Sequence, residues 1–395
     1  MLERRRERSR IEAYLSRFPV VAIVGARQIG KTTLARVIAA RWRKGPVRRF
    51  DLEETSDRAR LSDPMLALQD LTGLVILDEI QLLPEVFSTL RVLADRPRYP
   101  ARFLILGSAS PDLLRQSSES LAGRIIYHEL KGFSMDEVGV RRRKKLWLRG
   151  GFPRSFLART NELSFEWRRS FVRSFLERDL PQLGVQIPSG TLERFWSMVA
   201  HYHGQIWNSS EFARSFGVAD TTIRRYLDVM TATYVVRQLR PFSENLAKRQ
   251  VKSPKVYVSD SGLLHTLLNL RDQADVEGHP KVGASWEGFA INAVTRELDA
   301  RPEECFFWAT HSSAELDLLV VRGRHRWGFE FKRTVAPKIT RSMRVAIEDL
   351  HLDRLDVIYA GDATYPLAER IRAVALSDLH RALGHGRAWQ TRRKK

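Results

Sequence analysis

The sequence has very little cysteine and no long apolar run. Cys305 is the one cysteine among 395 residues, so the chain cannot form an internal disulfide. No apolar stretch reaches the roughly 18 residues that a membrane-spanning helix needs. Arg4-Arg5-Arg6 opens the N-terminus without the apolar segment of a secretory signal. We therefore expect a cytoplasmic protein with no membrane partner.

Acidic residues are scarce relative to basic ones. The chain has 46 Asp and Glu against 66 Lys and Arg, which gives a formal net charge of +20 at pH 7. Such a charge suits a polyanionic partner, either nucleic acid or an anionic membrane surface. Because no spanning helix is expected, we favour nucleic acid, with DNA preferred and RNA left open. The 9 Trp and 19 Phe residues indicate packed cores rather than disorder.

A phosphate-binding loop is predicted near the N-terminus. The pattern G-x-x-x-x-G-K-[ST] is met by residues 25–32, between an apolar run typical of a buried strand and a helix-like segment. Glycines in such a loop let backbone N–H groups and the following helix N-terminus face an anion. Lys31 is expected to bridge the terminal phosphates of ATP, and Thr32 to bind Mg²⁺. The predicted nucleotide-binding residues are Gly25, Ala26, Arg27, Gln28, Ile29, Gly30, Lys31, Thr32 and Thr33.

Two carboxylates follow the next long apolar run, 74–77. A buried strand that ends in acids can deliver them beside a phosphate loop. Asp78 is expected to hold the Mg²⁺ shell, through Thr32 or water, and Glu79 to orient and deprotonate the attacking water. Ser108 follows a further predicted strand and is expected to contact the γ-phosphate or its water. The predicted catalytic residues are therefore Glu79, Lys31 and Ser108.

Together these motifs resemble AAA-type ATPases of bacteria and archaea. The resemblance rests on the loop form GxRQxGKT, the LDEIQ motif at 77–81, the Gly-Ser pair at 107–108 and the LAGR segment ending at Arg124. It covers nearly the whole chain from Phe18 to about Asp378. It implies that Arg124 is a catalytic arginine finger acting between subunits of a homo-oligomer; a structural ion pair is the alternative.

Basic segments flank the predicted core. Residues 1–17 form a basic N-terminal arm that either packs as a surface helix or contacts nucleic acid. A run of five cations begins at 141, and adjacent like charges repel unless something negative neutralises them. This run lies either in an exposed loop or against phosphates. Residues 381–395 are expected to form a basic tail, whose end at 391–395 is expected to be disordered and to attract nucleic acid.

Residues 191–245 carry helix-turn-helix spacing. A serine-capped short helix begins at Ser209, a tight turn follows at 217–219, and Asp220 caps a second helix. A strand at 234–239 is expected to complete a winged-helix-like region, which either enters a major groove or serves as a lid or protein contact. The predicted nucleic-acid contacts are Thr221, Thr222, Arg224, Arg225, Arg141, Arg142 and Arg143.

A hairpin nearer the C-terminus carries acidic residues and a lysine. Strands joined by a short glycine turn at 322–325 are expected to bring Asp317 near Glu330 and Lys332. Such carboxylates can bind a divalent cation, and the lysine can position a water. This D…ExK layout resembles the restriction-like nucleases, with Glu287 as the fourth member. The predicted metal ligands are Glu287, Asp317 and Glu330, with Lys332 beside them.

The predicted fold is therefore α/β in several parts. A P-loop NTPase core of the AAA type spans 18–135, a helical lid or linker 136–190, the winged-helix-like region 191–245, and an α/β restriction-endonuclease-like domain 246–380. A helix is expected at 367–372 within that last domain. Nuclease activity does not follow from a nuclease-like fold.

The predicted function is binding and hydrolysis of ATP with Mg²⁺ by a protein that acts on nucleic acid. A second divalent cation is expected at the nuclease-like site. The alternative is an ATP-gated scaffold or regulator whose nuclease-like domain is inactive. A small-molecule kinase is disfavoured, because a glutamate directly after Asp78 suits activation of water better than transfer to a hydroxyl.

Overall fold

The computed structural model of this chain describes residues 2–97, 101–109, 121–243, 251–310 and 314–384. Helices and strands alternate through these ranges and form two sheets, so the protein is α/β. The helices are α1 (Arg5–Arg17), α2 (Lys31–Arg41), α3 (Thr55–Arg60), α4 (Pro64–Leu68), α5 (Val86–Ala94), α6 (Met135–Val138), α7 (Arg143–Arg149), α8 (Pro153–Phe156), α9 (Asn161–Ser174), α10 (Leu180–Gln182), α11 (Ser189–His201), α12 (Ser209–Phe216), α13 (Asp220–Ala232), α14 (Ser261–Leu267), α15 (Gln273–Gly278), α16 (Val282–Glu297), α17 (Arg341–Asp349) and α18 (Leu379–Leu383). The strands are β1 (Val20–Val24), β2 (Val47–Asp51), β3 (Gly73–Asp78), β4 (Ala101–Gly107), β5 (Ile125–Glu129), β6 (Gln205–Ile206), β7 (Val236–Pro241), β8 (Lys255–Val258), β9 (Cys305–Ala309), β10 (Glu315–Arg322), β11 (His325–Lys332), β12 (Arg354–Tyr359), β13 (Tyr365–Ala368) and β14 (Ile371–Ala375).

The first sheet is parallel, with strand order β2-β3-β4-β1-β5. Every residue of β1 and β3 is buried, as expected for strands that are covered on both faces. The carboxyl ends of parallel strands meet at one edge of the sheet. That edge therefore brings together the loop after β1, Asp78 at the end of β3 and Ser108 after β4. The prediction of a parallel P-loop NTPase-like core is confirmed.

Helix α1 packs onto this core and does not extend as a free arm. Ile11 and Leu15 are buried against the core. Glu7 accepts a hydrogen bond of 2.7 Å from His128 and one of 2.9 Å from Arg296. Burial opposes the charge of Glu7, but His128 and Arg296 outweigh it and hold the pKa of this carboxyl well below its usual range. The N-terminal segment thus ties the core to α16 of the C-terminal part.

The second sheet joins two predicted domains. Its strand order is β13-β14-β12-β11-β10-β9-β7-β8-β6. Strands β6, β8 and β7 pair antiparallel, and β7 also pairs parallel with β9, with Arg240 opposite Phe306. The predicted boundary at 245/246 therefore falls inside one continuous sheet. Residues 244–250 of the loop between β7 and β8 lie outside the described residues.

A loop between α7 and α8 connects the helical part to the C-terminal part. Asp260 accepts hydrogen bonds from the backbone N–H groups of Gly151, at 2.7 Å, and Leu263, at 3.0 Å. A Cβ on Gly262 would lie 2.2 Å from the carbonyl oxygen of Arg149, so only glycine fits this close approach. Asp260 and Gly262 thus join α14 to the end of α7.

Three local predictions are wrong. Residues 367–372 form no helix: 367–368 end β13, 369–370 form the turn and 371–372 begin β14, where Ile371 and Val374 are buried as β14 pairs with β12. Residues 381–383 belong to α18, whose Leu379 and Leu383 are buried, and not to a tail. Residues 385–395 of that predicted tail lie outside the described residues. The cationic run at 141–145 is helical rather than a loop, because Arg141 and Arg142 end a short 3-10 helix and Arg143 begins α7, which buries its apolar side chains in the core.

No helix within the described ranges is long and apolar enough to cross a bilayer.

Candidate nucleotide site and acidic cluster

The phosphate loop has the backbone geometry that close approach to an anion requires. Gly25 has φ +145° and Gly30 has φ +102°, values that side-chain-bearing residues rarely adopt. A Cβ on Gly25 would lie 2.4 Å from the carbonyl oxygen of Leu130. Helix α2 begins directly after Gly30, and no side chain in the described part of the chain caps its first turn. The N–H groups and positive end of α2 are therefore available to an anion.

Lys31 is buried inside this loop. Its Nζ donates to the carbonyl oxygens of Gly25, at 2.9 Å, and Ala26, at 3.1 Å. Burial lowers the pKa of Lys31, while the charges of Glu79 and Asp78 act in the opposite direction. The ammonium group is thus held across the loop, facing the acids at the end of β3.

Asp78 lies buried at the end of β3. Its Oδ2 is 3.1 Å from Nη2 of Arg49, which is also 3.0 Å from Asp51. Burial raises the pKa of Asp78, with Glu79 acting in the same direction and Thr32 against it. A carboxylate beside a hydroxyl is the kind of hard oxygen set that Mg²⁺ prefers, so Asp78 and Thr32 fit this ion.

Glu79 is held in an uncommon backbone conformation by a polar network. Its φ is +54°, in the left-handed region that costs a residue with a side chain about 1 kcal/mol or more. Ser108 Oγ donates to Glu79 Oε2 at 3.2 Å. Gln81 Nε2 donates to the same Glu79 oxygen and, at 3.0 Å, to Ser108 Oγ. The residue patterns missed Gln81; the LDEIQ motif contains it but assigns it no role.

Arg124 forms an ion pair within its own chain. Its Nε and Nη2 lie 2.5 and 2.9 Å from the carboxylate of Asp95, at the end of α5. Both side chains are partly exposed. This contact corresponds to the ion pair expected as the alternative to an arginine finger.

The predicted nucleic-acid contacts lie on the surface. Helix α12, a turn at Gly217 with φ +66° and helix α13 follow one another, and Phe212 and Ile223 are buried between them. Thr221, Arg224, Arg225, Arg141 and Arg142 are exposed, whereas Thr222 is half-buried. Arg143 is also half-buried and lies 3.2 Å from Asp362.

The predicted hairpin is confirmed, since β10 and β11 pair antiparallel with Arg322 opposite His325. It brings the acidic residues and the lysine together. Asp317 accepts a hydrogen bond of 3.0 Å from the N–H of Phe331. Lys332 Nζ lies 2.8 Å from Glu330 and 4.0 Å from Asp317. Glu287 of α16 accepts a hydrogen bond of 2.6 Å from the Tyr257 hydroxyl.

A second lysine, Lys255 of β8, lies in the middle of these acids. Its Nζ is 3.5 Å from Glu287 and 3.8 Å from Asp317, and it also pairs with Glu315. Within the described part of the chain, no group of three or more His, Cys, Asp or Glu side chains is placed to hold a metal ion. The predicted ligand set of Glu287, Asp317 and Glu330 is therefore not supported, and the buried ammonium of Lys255 lies close to two of its members, Glu287 and Asp317.

Two carboxyls of this acidic cluster (Glu287, Glu315, Asp317 and Glu330) hold their protons unusually tightly. Burial, together with the nearby charge of Asp317, raises the pKa of Glu287 to about 7 and that of Glu330 to about 8. The lysines act in the opposite direction. Lys255 and Tyr257 were not predicted, since β8 offers only an alternating strand pattern with no chemical motif.

Comparison with protein families divides the chain into three parts. Residues 17–139 match an AAA domain. Residues 140–274 and 282–379 match two domains of unknown function, DUF8612 and DUF4143.

Two similar proteins come from mycobacteria. The uncharacterized protein Rv2008c of Mycobacterium tuberculosis is 51% identical over 374 residues, which cover 95% of this chain and 84% of that protein. The uncharacterized protein Mb2031c of Mycobacterium bovis has the same identity and coverage.

Solved structures are similar to this chain at low sequence identity. The Walker-type ATPase PABY2304 of Pyrococcus abyssi has a TM-score of 0.48 and 13% identity, covering 68% of this chain and 96% of that chain. The RuvB Holliday junction branch migration motor of Thermotoga maritima has a TM-score of 0.29 and 17% identity, covering 60% of this chain and 90% of that chain.

Proposed function

This chain belongs to the same family as Rv2008c and Mb2031c and carries an AAA-type P-loop ATPase domain, and we propose that it binds ATP with Mg²⁺ and hydrolyses the ATP. One observation supports this most directly. The phosphate loop with Lys31, the acids Asp78 and Glu79, and Ser108 meet at the carboxyl edge of one parallel sheet. That arrangement suits phosphoryl transfer, in which positioning and electrostatics do most of the work.

Each residue of this edge has a proposed role. The backbone of residues 25–33 and the Lys31 ammonium hold the phosphates, while Thr32 and Asp78 hold Mg²⁺, which would neutralise charge on the phosphate oxygens. Glu79 takes a proton from the attacking water, and Ser108 fixes the carboxylate that does so. The test is an ATP hydrolysis assay. The proposal predicts a rate that is proportional to enzyme concentration, requires Mg²⁺ and is lost in Lys31→Ala protein. Pure protein that neither binds nor hydrolyses ATP would refute it.

Arg124 is proposed to act on the nucleotide of a neighbouring subunit in a homo-oligomer. Its guanidinium is partly exposed, so another chain can reach it, and it would exchange Asp95 for a phosphate. This role requires hydrolysis per subunit to rise as subunits associate.

We further propose that the protein works on nucleic acid, most simply duplex DNA, in the cytoplasm. The net charge of +20 supports a polyanionic partner. The order α11-β6-α12-α13-β7-β8 is typical of a winged helix, and α13 exposes Thr221, Arg224 and Arg225. Thr222 at its edge and the cations at 141–143 would add contacts.

The test is the ATP hydrolysis rate with and without duplex DNA, single strands and RNA. Stimulation by one of them supports action on that nucleic acid. An affinity that falls steeply with salt supports neutralisation of phosphates. A hydrolysis rate that none of the three nucleic acids changes would favour the alternative function, an ATP-gated scaffold or regulator.

The alternative is an ATP-gated scaffold or regulator whose nuclease-like C-terminal domain cleaves nothing. The position of Lys255 between Glu287 and Asp317 favours this alternative, because its ammonium pairs with carboxylates that a second divalent cation would need as ligands. Plasmid nicking assayed with Mg²⁺ and with Mn²⁺ separates the two. Nicking that disappears in Asp317→Ala and Lys332→Ala protein establishes cleavage, and its absence with every divalent metal supports the scaffold.

A further inference from the structure

The side chain of Arg27 leaves the phosphate loop and contacts the second domain. Its Nη1 lies 2.6 Å from Asp179 Oδ1 and 3.2 Å from Gln182 Oε1, while its Nη2 lies 2.7 Å from Glu53 Oε1. Asp179 and Gln182 lie beyond residue 139, where the match to the AAA domain ends. One guanidinium therefore joins the nucleotide-binding loop to the domain that follows it.

Asp179 ends a widened, π-helical turn, Phe175–Asp179, between α9 and α10. Pro181 follows within the same helical segment and has no N–H to bond to the carbonyl of Glu177, which favours an irregular turn here. Phe175 anchors the turn by packing against Trp196, with ring centroids 5.5 Å apart. Such π-helical turns occur frequently at functional sites.

The burial of Asp179 is not explained by stability alone. Asp179 is only 4% exposed, and its Oδ2 atom has no hydrogen-bond partner among the described residues. The other oxygen, Oδ1, serves both Arg27 and, at 3.2 Å, Nε of Arg178. A buried charged oxygen without a partner costs free energy. A role in function accounts for keeping a carboxylate at this position.

Arg27 lies beside the polar network that holds Glu79. A narrow cavity is lined by Arg27, Asp179, Gln81 and Ser108, and the last two contact Glu79 directly. The terminal phosphate and the attacking water must lie between Lys31 and Glu79 if these residues act as proposed. The guanidinium of Arg27 is therefore at the end of the site that would hold the γ-phosphate, and not at the end that would hold the nucleobase.

We propose that Asp179 is a positioning residue for ATP hydrolysis, which holds the guanidinium of Arg27 beside the γ-phosphate and connects that phosphate to the second domain. This inference rests on the proposed function. A fixed guanidinium stabilises the charge of the γ-phosphoryl oxygens in the transition state. Without the charge of Asp179, Glu53 is the remaining anionic partner of Arg27 among the residues that the structure describes, and Arg27 loses its fixed direction.

The test is steady-state hydrolysis of ATP by the full chain. Asp179→Asn keeps the size of the side chain and removes its charge. We expect kcat to fall about tenfold or more, with KM and the Kd for ADP within about threefold of the parent values, because the contact acts mainly in the transition state. Asp179→Glu, which keeps the charge, should recover part of the rate.

Two further variants separate positioning from general destabilisation. Arg27→Ala should lose at least as much kcat as Asp179→Asn, and the double variant should be no slower than Arg27→Ala alone, because both changes remove one interaction. Glu177→Gln removes the exposed ion pair with Arg173 from the same turn and should retain the parent rate. Thermal unfolding checks that every variant is folded.

Three results overturn the inference. Asp179→Asn protein with the parent kcat removes the role, and so does a double variant whose loss is the product of the two single losses. A parent protein that hydrolyses no ATP refutes the proposed function itself. If the parent protein hydrolyses ATP and Asp179→Asn protein does so at the same rate, the proposed function stands and only the positioning role is refuted.

Discussion

The hydroxyl of Ser108 donates a hydrogen bond of 3.2 Å to the carboxylate of Glu79. The two residues lie just beyond the ends of β4 and β3, which are neighbours in a parallel sheet. Gln81 forms hydrogen bonds to both of them. The backbone of Glu79 has a left-handed conformation, and its carboxylate is held by both Ser108 and Gln81. This network is the feature that most directly suits Glu79 for directing a water molecule.

Substitution at Glu79 and Lys31 should separate catalysis from binding. Glu79→Gln keeps the shape of the side chain but cannot accept the proton, so kcat should fall about 10²-fold or more while ATP stays bound. Lys31→Ala removes the ammonium from the loop and should weaken ATP binding by roughly 10-fold to 100-fold. Isothermal titration and a phosphate-release assay measure both effects. Parent-rate hydrolysis by Glu79→Gln protein would make the catalytic assignment wrong.

Removing the support of Glu79 should slow hydrolysis less than removing Glu79 itself. Ser108→Ala and Gln81→Ala each delete a hydrogen bond to the carboxylate, and each should lower kcat roughly tenfold, the usual cost of a hydrogen bond to a charged group. The affinity for ADP should not change in either variant. Equal loss of ADP binding and kcat would show that the network supports the loop and not the carboxylate.

A finger role for Arg124 can be distinguished from an ion pair by its partner. Arg124→Ala should slow hydrolysis by about 10³-fold, as loss of a finger does. Asp95→Ala removes the other half of the same ion pair and should leave the rate near that of the parent. The rate is measured over a range of protein concentrations. Equal hydrolysis rates in the two variants and the parent would exclude the finger role, and the ion pair with Asp95 would be the remaining role of Arg124.

Lys255 should be important for stability. It is 3% exposed among carboxylates, and removal of one partner from a buried ion cluster typically costs about 3–5 kcal/mol. Lys255→Met should therefore lower the free energy of unfolding in urea by roughly that amount. Glu315→Gln alters a partly exposed partner of Lys255 and should cost less than about 1 kcal/mol. A Lys255→Met protein as stable as Glu315→Gln protein would contradict this.

The acidic cluster should make stability depend on pH. Burial raises the pKa of Glu330 to about 8 from an ordinary 4.5, so the folded state binds this proton more tightly than the unfolded state. Its contribution is fully present below pH 4.5 and is lost as the pH rises through about 8. Glu287 acts in the same direction through a pKa of about 7.

Glu330→Gln removes one of these titrations and serves as the comparison. The free energy of unfolding of the parent should fall more steeply than that of Glu330→Gln between about pH 5 and about pH 8. Urea unfolding at a series of pH values measures the difference. Parallel curves would show that Glu330 does not titrate in this interval.

Local patterns were sufficient for the ATPase core. The phosphate loop is contiguous, and two apolar runs that end in acids or in a serine must meet at one edge of a parallel sheet. Asp78, Glu79 and Ser108 could therefore be placed near Lys31 without coordinates. The hairpin that joins Asp317 to Glu330 was predictable for the same reason, since a short glycine turn leaves little choice of pairing.

Errors occurred where burial overrides local preference. Residues 367–372 have a composition that suits a helix, but pairing with β12 makes their end a strand. Arg381 carries a charge typical of a tail, yet its neighbours Leu379 and Leu383 are buried. Neither outcome can be seen from the segment alone, because each depends on what packs against it.

The sequence by itself determined the site whose parts are adjacent or follow consecutive strands, because loop geometry and sheet direction leave them one place to meet. Only the tertiary structure decided that Asp179 reaches Arg27 and that Lys255 lies among Glu287 and Asp317. These residues are far apart in the chain and belong to different elements. Their contacts arise from the packing of one domain on another, which no spacing along the sequence encodes.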